Sequence, residues 1–76
     1  MKISTIPIDG YTQVSSASLW IDGVLQNPLN IYAANTETGE ILMGRWIDGK
    51  RVVQGDDFAR DWQQTDKPIT IDVIEN

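Results

Sequence analysis

The sequence predicts a mainly β domain: a small antiparallel meander or half-barrel of about five to seven short strands, with one short helix before the last strand. Three observations carry this. Ile-Asp-Gly occurs three times, at 8–10, 21–23 and 47–49, and the last two copies are extended to Trp-Ile-Asp-Gly by Trp20 and Trp46. Asp-Gly between apolar, β-prone residues suits a two-residue type I′ turn, which needs φ > 0 at both central positions. Near the end of the chain the apolar pattern alternates, with Ile69, Ile71 and Val73 on one face and Thr70, Asp72 and Ile74 on the other. The third observation is size: 76 residues, 41% of them apolar and none of them cysteine, make one globular domain whose core is only marginally sufficient.

A first strand is expected over Lys2 to Ile8, with Pro7 pushing it towards a sheet edge or a strand end. Tyr11 to Val14 is its expected hairpin partner, followed by the weakly patterned serines 15, 16 and 18. Ser18 to Ile21 and Val24 to Gln26 form a second hairpin around Asp22-Gly23, ended by Asn27-Pro28. Leu29 to Ala34 reads as a strand, and Thr36-Glu37-Thr38-Gly39 as a longer hairpin loop closed by a left-handed glycine. Ile41 to Ile47 returns, Asp48-Gly49 reverses the chain, and Lys50 to Gln54 answers.

The helix is placed between Gly55 and Pro68. Phe58, Ala59 and Trp62 stand at i, i+1 and i+4 on one helical face, and Asp56 or Asp57 can cap the N-terminus. Asp56 and Arg60, four apart, can pair across its surface. So short a helix must dock through Phe58 and Trp62 to persist. The order of meander, short helical turn and last strand is similar to an SH3-type half-barrel, a likeness of architecture that does not fix function. The two Trp-Ile-Asp-Gly copies have unlike flanks, Val24-Leu25-Gln26 against Lys50-Arg51-Val52, so recurring turn chemistry explains them better than duplication.

Composition excludes more than it selects. Without histidine or cysteine the chain lacks the commonest general base, the commonest metal ligand and any disulfide. A nucleophilic triad would need lysine or an unusual base. Glycines stand singly at turns rather than in a phosphate cradle, and residues 35–40 lack the acidic spacing of a calcium loop. No catalytic residue, metal or cofactor is therefore expected. No window reaches the roughly 18 apolar residues of a membrane span, and the N-terminus has no signal-peptide core. A cytoplasmic location without membrane contact is the resulting expectation.

The net charge of −5 is unevenly laid out. Residues 45–51 carry +2, while six acids and two cations follow from Asp56 onward. That polarity disfavours general duplex binding and steers the chain towards basic partners. Two candidate binding sites follow. In the first, a turn at Asp48-Gly49 sets Trp46 opposite Arg51, close enough for cation–π stacking, with Arg45 and Lys50 beside them. Trp and Arg are frequent anchors of protein interfaces, and the same tip could hold a base and its phosphate; the bland reading puts Trp46 in the core under the stem of Arg51. In the second, Asp56, Asp57 and Asp61 present negative charge, as a phosphate mimic would; their plain reading is a solvated helix start. The function expected is a small, acidic, non-enzymatic module making protein–protein contact, of the kind found among phage or mobile-element accessory and inhibitor proteins. A small virion or assembly component is the alternative, and nucleic-acid binding or mimicry comes third.

Overall fold

The computed structural model describes residues 1–27 and 30–74. The stop expected at Pro28, the strand start at Leu29 and the acid at Glu75 lie outside the described residues. The strands in chain order are β1 (Lys2–Ser4), β2 (Thr12–Gln13), β3 (Ser16–Ile21), β4 (Val24–Leu25), β5 (Ile31–Asn35), β6 (Glu40–Gly44), β7 (Trp46–Ile47), β8 (Lys50–Arg51), β9 (Val53–Gln54), β10 (Asp57–Phe58), β11 (Arg60–Gln64) and β12 (Ile69–Ile74). A five-stranded sheet has the order β11-β6-β5-β1-β2, and a three-stranded sheet the order β12-β3-β4. The hairpins β7–β8 and β9–β10 stand apart as two further ribbons. The chain is thus mainly β, as its turn chemistry and alternation predict.

The expected helix is absent: among the described residues there is none, and none that could cross a membrane. Its segment is β10 and β11 instead, and β11 pairs antiparallel with β6 from Arg60↔Gly44 to Gln64↔Glu40. Positions i and i+4 share a face in a strand as well as in a helix, so Phe58 and Trp62 could not decide between them. Ala59 does decide. A helix would set it beside Phe58; here it is 2% exposed while Phe58 is 41% exposed, on opposite sides of one ribbon. Of the SH3-like order, the meander expected over 29–54 keeps its first two strands, β5 and β6; β11 rather than Lys50 to Gln54 pairs next to β6, and the helical turn is lost.

Two of the three Ile-Asp-Gly copies make the expected hairpins. Asp22 and Gly23 have φ of 53° and 78°, and Asp48 and Gly49 have 53° and 77°, the left-handed pair of a type I′ turn. Trp20 therefore faces Leu25 and Trp46 faces Arg51, each one step back from its turn. The first copy behaves differently. Tyr11 N donates to Ile8 O at 3.1 Å and only Gly10 has positive φ, 83°, as in a type II turn. Pro7 fixes φ near about −65°, short of the roughly −140° of an antiparallel strand, so no ladder leads into this turn. β2 consequently runs parallel to β1, Ile3↔Thr12 and Ser4↔Gln13, rather than returning as a hairpin.

The two sheets face each other through their apolar sides. Ile3, Ala34 and Ile41 align across β1, β5 and β6, and Leu19 aligns with Ile71 across β3 and β12. Among the described residues the buried apolar side chains are Leu19, Ala33, Ala34, Ile41, Leu42 and Ala59, half of them alanine, so the core they form is thin. Polar loops compensate. Buried Asn35 accepts hydrogen bonds from Glu37 N at 3.0 Å and Thr38 N at 3.4 Å, while Gly39 N donates to Asn35 O at 2.9 Å. Gly39 is tied in turn to the far strand, since Thr65 N donates to Gly39 O at 3.0 Å.

Gly39 and Gly49 separate packing from backbone strain. Both have positive φ, but a Cβ at Gly39 would meet the Thr65 carbonyl oxygen at 2.1 Å, whereas one at Gly49 would meet nothing within 4 Å. Gly49→Ala should cost about 1 kcal/mol in urea unfolding and Gly39→Ala at least about twice that. Equal losses would show that Thr65 does not constrain the loop.

Candidate functional site

Beyond Gly44 and Arg60 the β6–β11 ladder opens into the two extra hairpins, and the junction is closed by main-chain groups alone. Arg45 N donates to Ala59 O at 2.9 Å, Ala59 N to Val52 O at 2.8 Å, and Val52 N to Arg45 O at 2.9 Å. These bonds form a ring joining three residues spaced seven apart. Three arms leave it: β6–β11, β7–β8 and β9–β10. The second arm turns at Asp48-Gly49. The third turns at Gly55-Asp56, where Gly55 alone has positive φ, 63°, as a Gly-X type II′ turn requires.

Alternation along each arm sends the ring residues Arg45, Val52 and Ala59 to one side and their neighbours to the other. On that other side lie Gly44, Trp46, Arg51, Val53, Phe58 and Arg60. The guanidinium of Arg51 sits 4.2 Å from the Phe58 ring centroid and 5.9 Å from the centroids of both Trp46 and Tyr32. Its Nη2 donates to the Tyr32 hydroxyl. Arg60 stacks on the same tyrosine at 4.9 Å. Gly44 lies against this cluster, where a Cβ would make ordinary van der Waals contact with Tyr32 Cε2 at 3.5 Å and Trp46 Nε1 at 3.8 Å. The row continues along β11 to Trp62, whose ring is 5.8 Å from Tyr11, itself under Lys2 Nζ at 5.8 Å. One face of the molecule therefore alternates cations and aromatic rings. Trp46, Phe58 and Trp62 on it are 44%, 41% and 47% exposed.

The two candidate sites read from the sequence meet at one ion pair, Arg45–Asp61. Arg45 forks onto Asp61, Nε to Oδ2 at 2.7 Å and Nη2 to Oδ1. Asp57 holds Arg60 Nη2 at 2.7 Å and accepts from Phe58 N at 2.8 Å. Asp56 and Lys50 are exposed at the turns of their respective arms. Trp46 is at the surface rather than in the core, and Arg51 is half-buried between rings rather than laid over a buried Trp46. Trp20 belongs to the small sheet, opposite Thr70 and Leu25, and takes no part. Phe58, Tyr32 and Arg60 are the members that sequence reasoning missed. Gly55-Asp56 was the available signal, since Gly-Asp between β-prone residues marks a II′ hairpin and would have set Phe58 opposite Val53.

No protein-family model, no curated protein and no solved structure matches this chain.

The ion pairs shift their carboxylates. The Arg45 guanidinium bonded to Asp61 holds that carboxyl below the usual carboxylate range. Asp57 is lowered by the Phe58 amide first and by Arg60 second. Folding thus favours the ionised forms. Their stabilisation is present above the unfolded-chain value of about 4 and is lost as pH falls through the lower folded values. The urea midpoint should fall below about pH 4, and the Asp57→Asn, Asp61→Asn double variant should show a shallower acid loss. Identical acid limbs would mean that these pairs contribute nothing.

The ring itself is tested at Val52. Val52→Pro deletes the amide that donates to Arg45 O, and should destabilise the fold by about 3 kcal/mol or more, with loss of near-ultraviolet signal from Trp46. A cost near that of an exposed strand edge would show that the arms do not depend on ring closure.

Proposed function

We propose that this chain is a non-enzymatic binding module that engages a protein partner through the Trp46–Arg51–Phe58 face of its three-armed junction. The observation that carries the reading is the half-buried Arg51 guanidinium, stacked on Phe58 and hydrogen-bonded to Tyr32, flanked by two exposed aromatic side chains. Trp, Tyr and Arg dominate the energetics of protein interfaces when their geometry is fixed before contact. Here each side chain is held by a neighbour, so little rotamer entropy remains to be lost on docking.

Charge favours a protein over nucleic acid. The chain carries −5 overall, and Arg60 is already bonded to Asp57 at 2.7 Å. Phosphate mimicry fares no better, because Asp61 is taken up by Arg45, and Asp57 by Arg60 and the Phe58 amide. The reading as an assembly component draws on a different feature. β12 has only β3 as a neighbour among the described residues, leaving a six-residue edge on which a further strand could pair.

Affinity capture with three proteins tests the proposal: wild type, Trp46→Ala/Phe58→Ala, and a control altered at the other hairpin tip, Val24→Ser/Leu25→Ser. The aromatic variant should lose the captured partner by at least about thirtyfold in Kd, while the control retains it. Capture unchanged by the aromatic variant would remove the site. Concentration-dependent self-association abolished by Val73→Pro, which removes an amide on the side of β12 away from β3, would support the assembly reading instead.

A further inference from the structure

We propose that the space between the two sheets is a binding site for a small uncharged molecule with an apolar body and one hydrogen-bonding tip. A cavity of about 220 Å³ lies there, walled by β1 and β5 on one side and by β3 and β12 on the other. It is remote from the aromatic face of the junction in its lining, sharing only Tyr32 with it.

The deep end is apolar. Leu19, Ala33 and Ala34 are buried there, with Ile3, Ile31 and Ile71 as half-buried walls. Ser4 is buried too, but its hydroxyl donates to Ile6 O at 2.7 Å and is already committed within the chain. The outer end is polar, where Thr5, Ser15 and Ser16 are exposed and Gln26 is half-buried. Thr5 Oγ1 donates to Tyr32 O at 3.4 Å and Gln26 Nε2 to Val24 O at 3.0 Å, so these side chains meet a ligand with their oxygens as acceptors. Among the described residues no Asp, Glu, Lys or Arg lines the cavity, although these make up 22% of the chain. A charged ligand would therefore lose its hydration at the deep end without an opposite charge to replace it.

Size sets the rest of the specificity. A cavity of about 150 Å³ lined by aliphatic side chains is large enough for benzene, so 220 Å³ admits a slightly larger body. It falls below the roughly 300 Å³ at which drug-sized ligands begin. The apolar walls set the body of the ligand, and the hydroxyls of the outer end set its tip. A medium-chain alcohol or a simple phenol has this form.

The test is an amide-resolved NMR titration of the full chain with n-hexanol, hexanoate and n-hexylammonium. With n-hexanol, saturable shifts should centre on Ile3, Leu19, Ala34 and Ile71, and both charged analogues should bind at least about tenfold more weakly. Ala17→Leu, which fills the cavity from β3, should weaken n-hexanol by a similar factor while spectral dispersion is kept. Ala34→Leu fills it from β5 and supplies the same readout should the first variant misfold. Non-saturating shifts, shifts centred on Trp46, Phe58 and Trp62, equal binding of the charged analogues, or undiminished binding by the filled variants would each overturn the site.

Discussion

The ring of three main-chain hydrogen bonds at Arg45, Val52 and Ala59 is the constraint on which the three-armed half of this molecule rests. Each bond alone is worth about 1 kcal/mol net, but an unpaired amide or carbonyl beside buried Ala59 would cost more than the bond contributes. Closing the ring satisfies one donor and one acceptor on each of three residues, with no side chain needed. It also fixes pleat phase in all three arms at once. Because the ring residues face one way, their neighbours must face the other, and those neighbours are Trp46, Arg51, Phe58 and Arg60.

That phase relation explains how a chain with few buried aliphatic side chains holds a rigid surface cluster. Arg51 is fixed from two arms and a sheet: Trp46 opposite it on its own arm, Phe58 from the third arm, and Tyr32 from β5. The exposed ion pairs Arg45–Asp61 and Arg60–Asp57 contribute modestly to stability, as surface pairs do, and act mainly by aligning arms. Part of the charge that looked like two opposed sites along the chain is, in space, internal stitching: Arg45 holds Asp61 and Arg60 holds Asp57, while Lys50 and Asp56 stay exposed.

Much of the fold was legible in the sequence, and the failures have physical causes. Asp22-Gly23 and Asp48-Gly49 announced their hairpins because positive φ at a non-glycine residue is affordable for Asp but not for β-branched residues. Ile69 to Ile74 announced itself by strict alternation. The segment after Gly55 misled because Phe58 and Trp62 satisfy both periodicities, and because no single-chain pattern reveals that β6 offers β11 a ladder. Asp9-Gly10 misled because turn type depends on what enters the turn, here Pro7. At the site, the facing of Trp46 and Arg51 followed from the turn alone, while Tyr32 arrives from nineteen positions upstream of Arg51 and had no local signature. The pairing of Arg45 with Asp61 likewise crosses sixteen positions.

The uniform seven-residue spacing around the junction has a consequence for how this architecture can vary. The arms β7–β8 and β9–β10 are each a separate two-stranded ribbon beyond the ring, whose length the ring does not sense. Adding two residues to each strand of β7–β8 would carry its tip outward by about 7 Å and leave Trp46 and Arg51 where they stand. Adding one to each would leave the inner pair untouched and invert every side chain beyond the insertion. The junction thus works as a parity-sensitive socket: even-length grafts preserve the orientation of an arm's outer half, odd ones reverse it, and the arms can diverge in length independently.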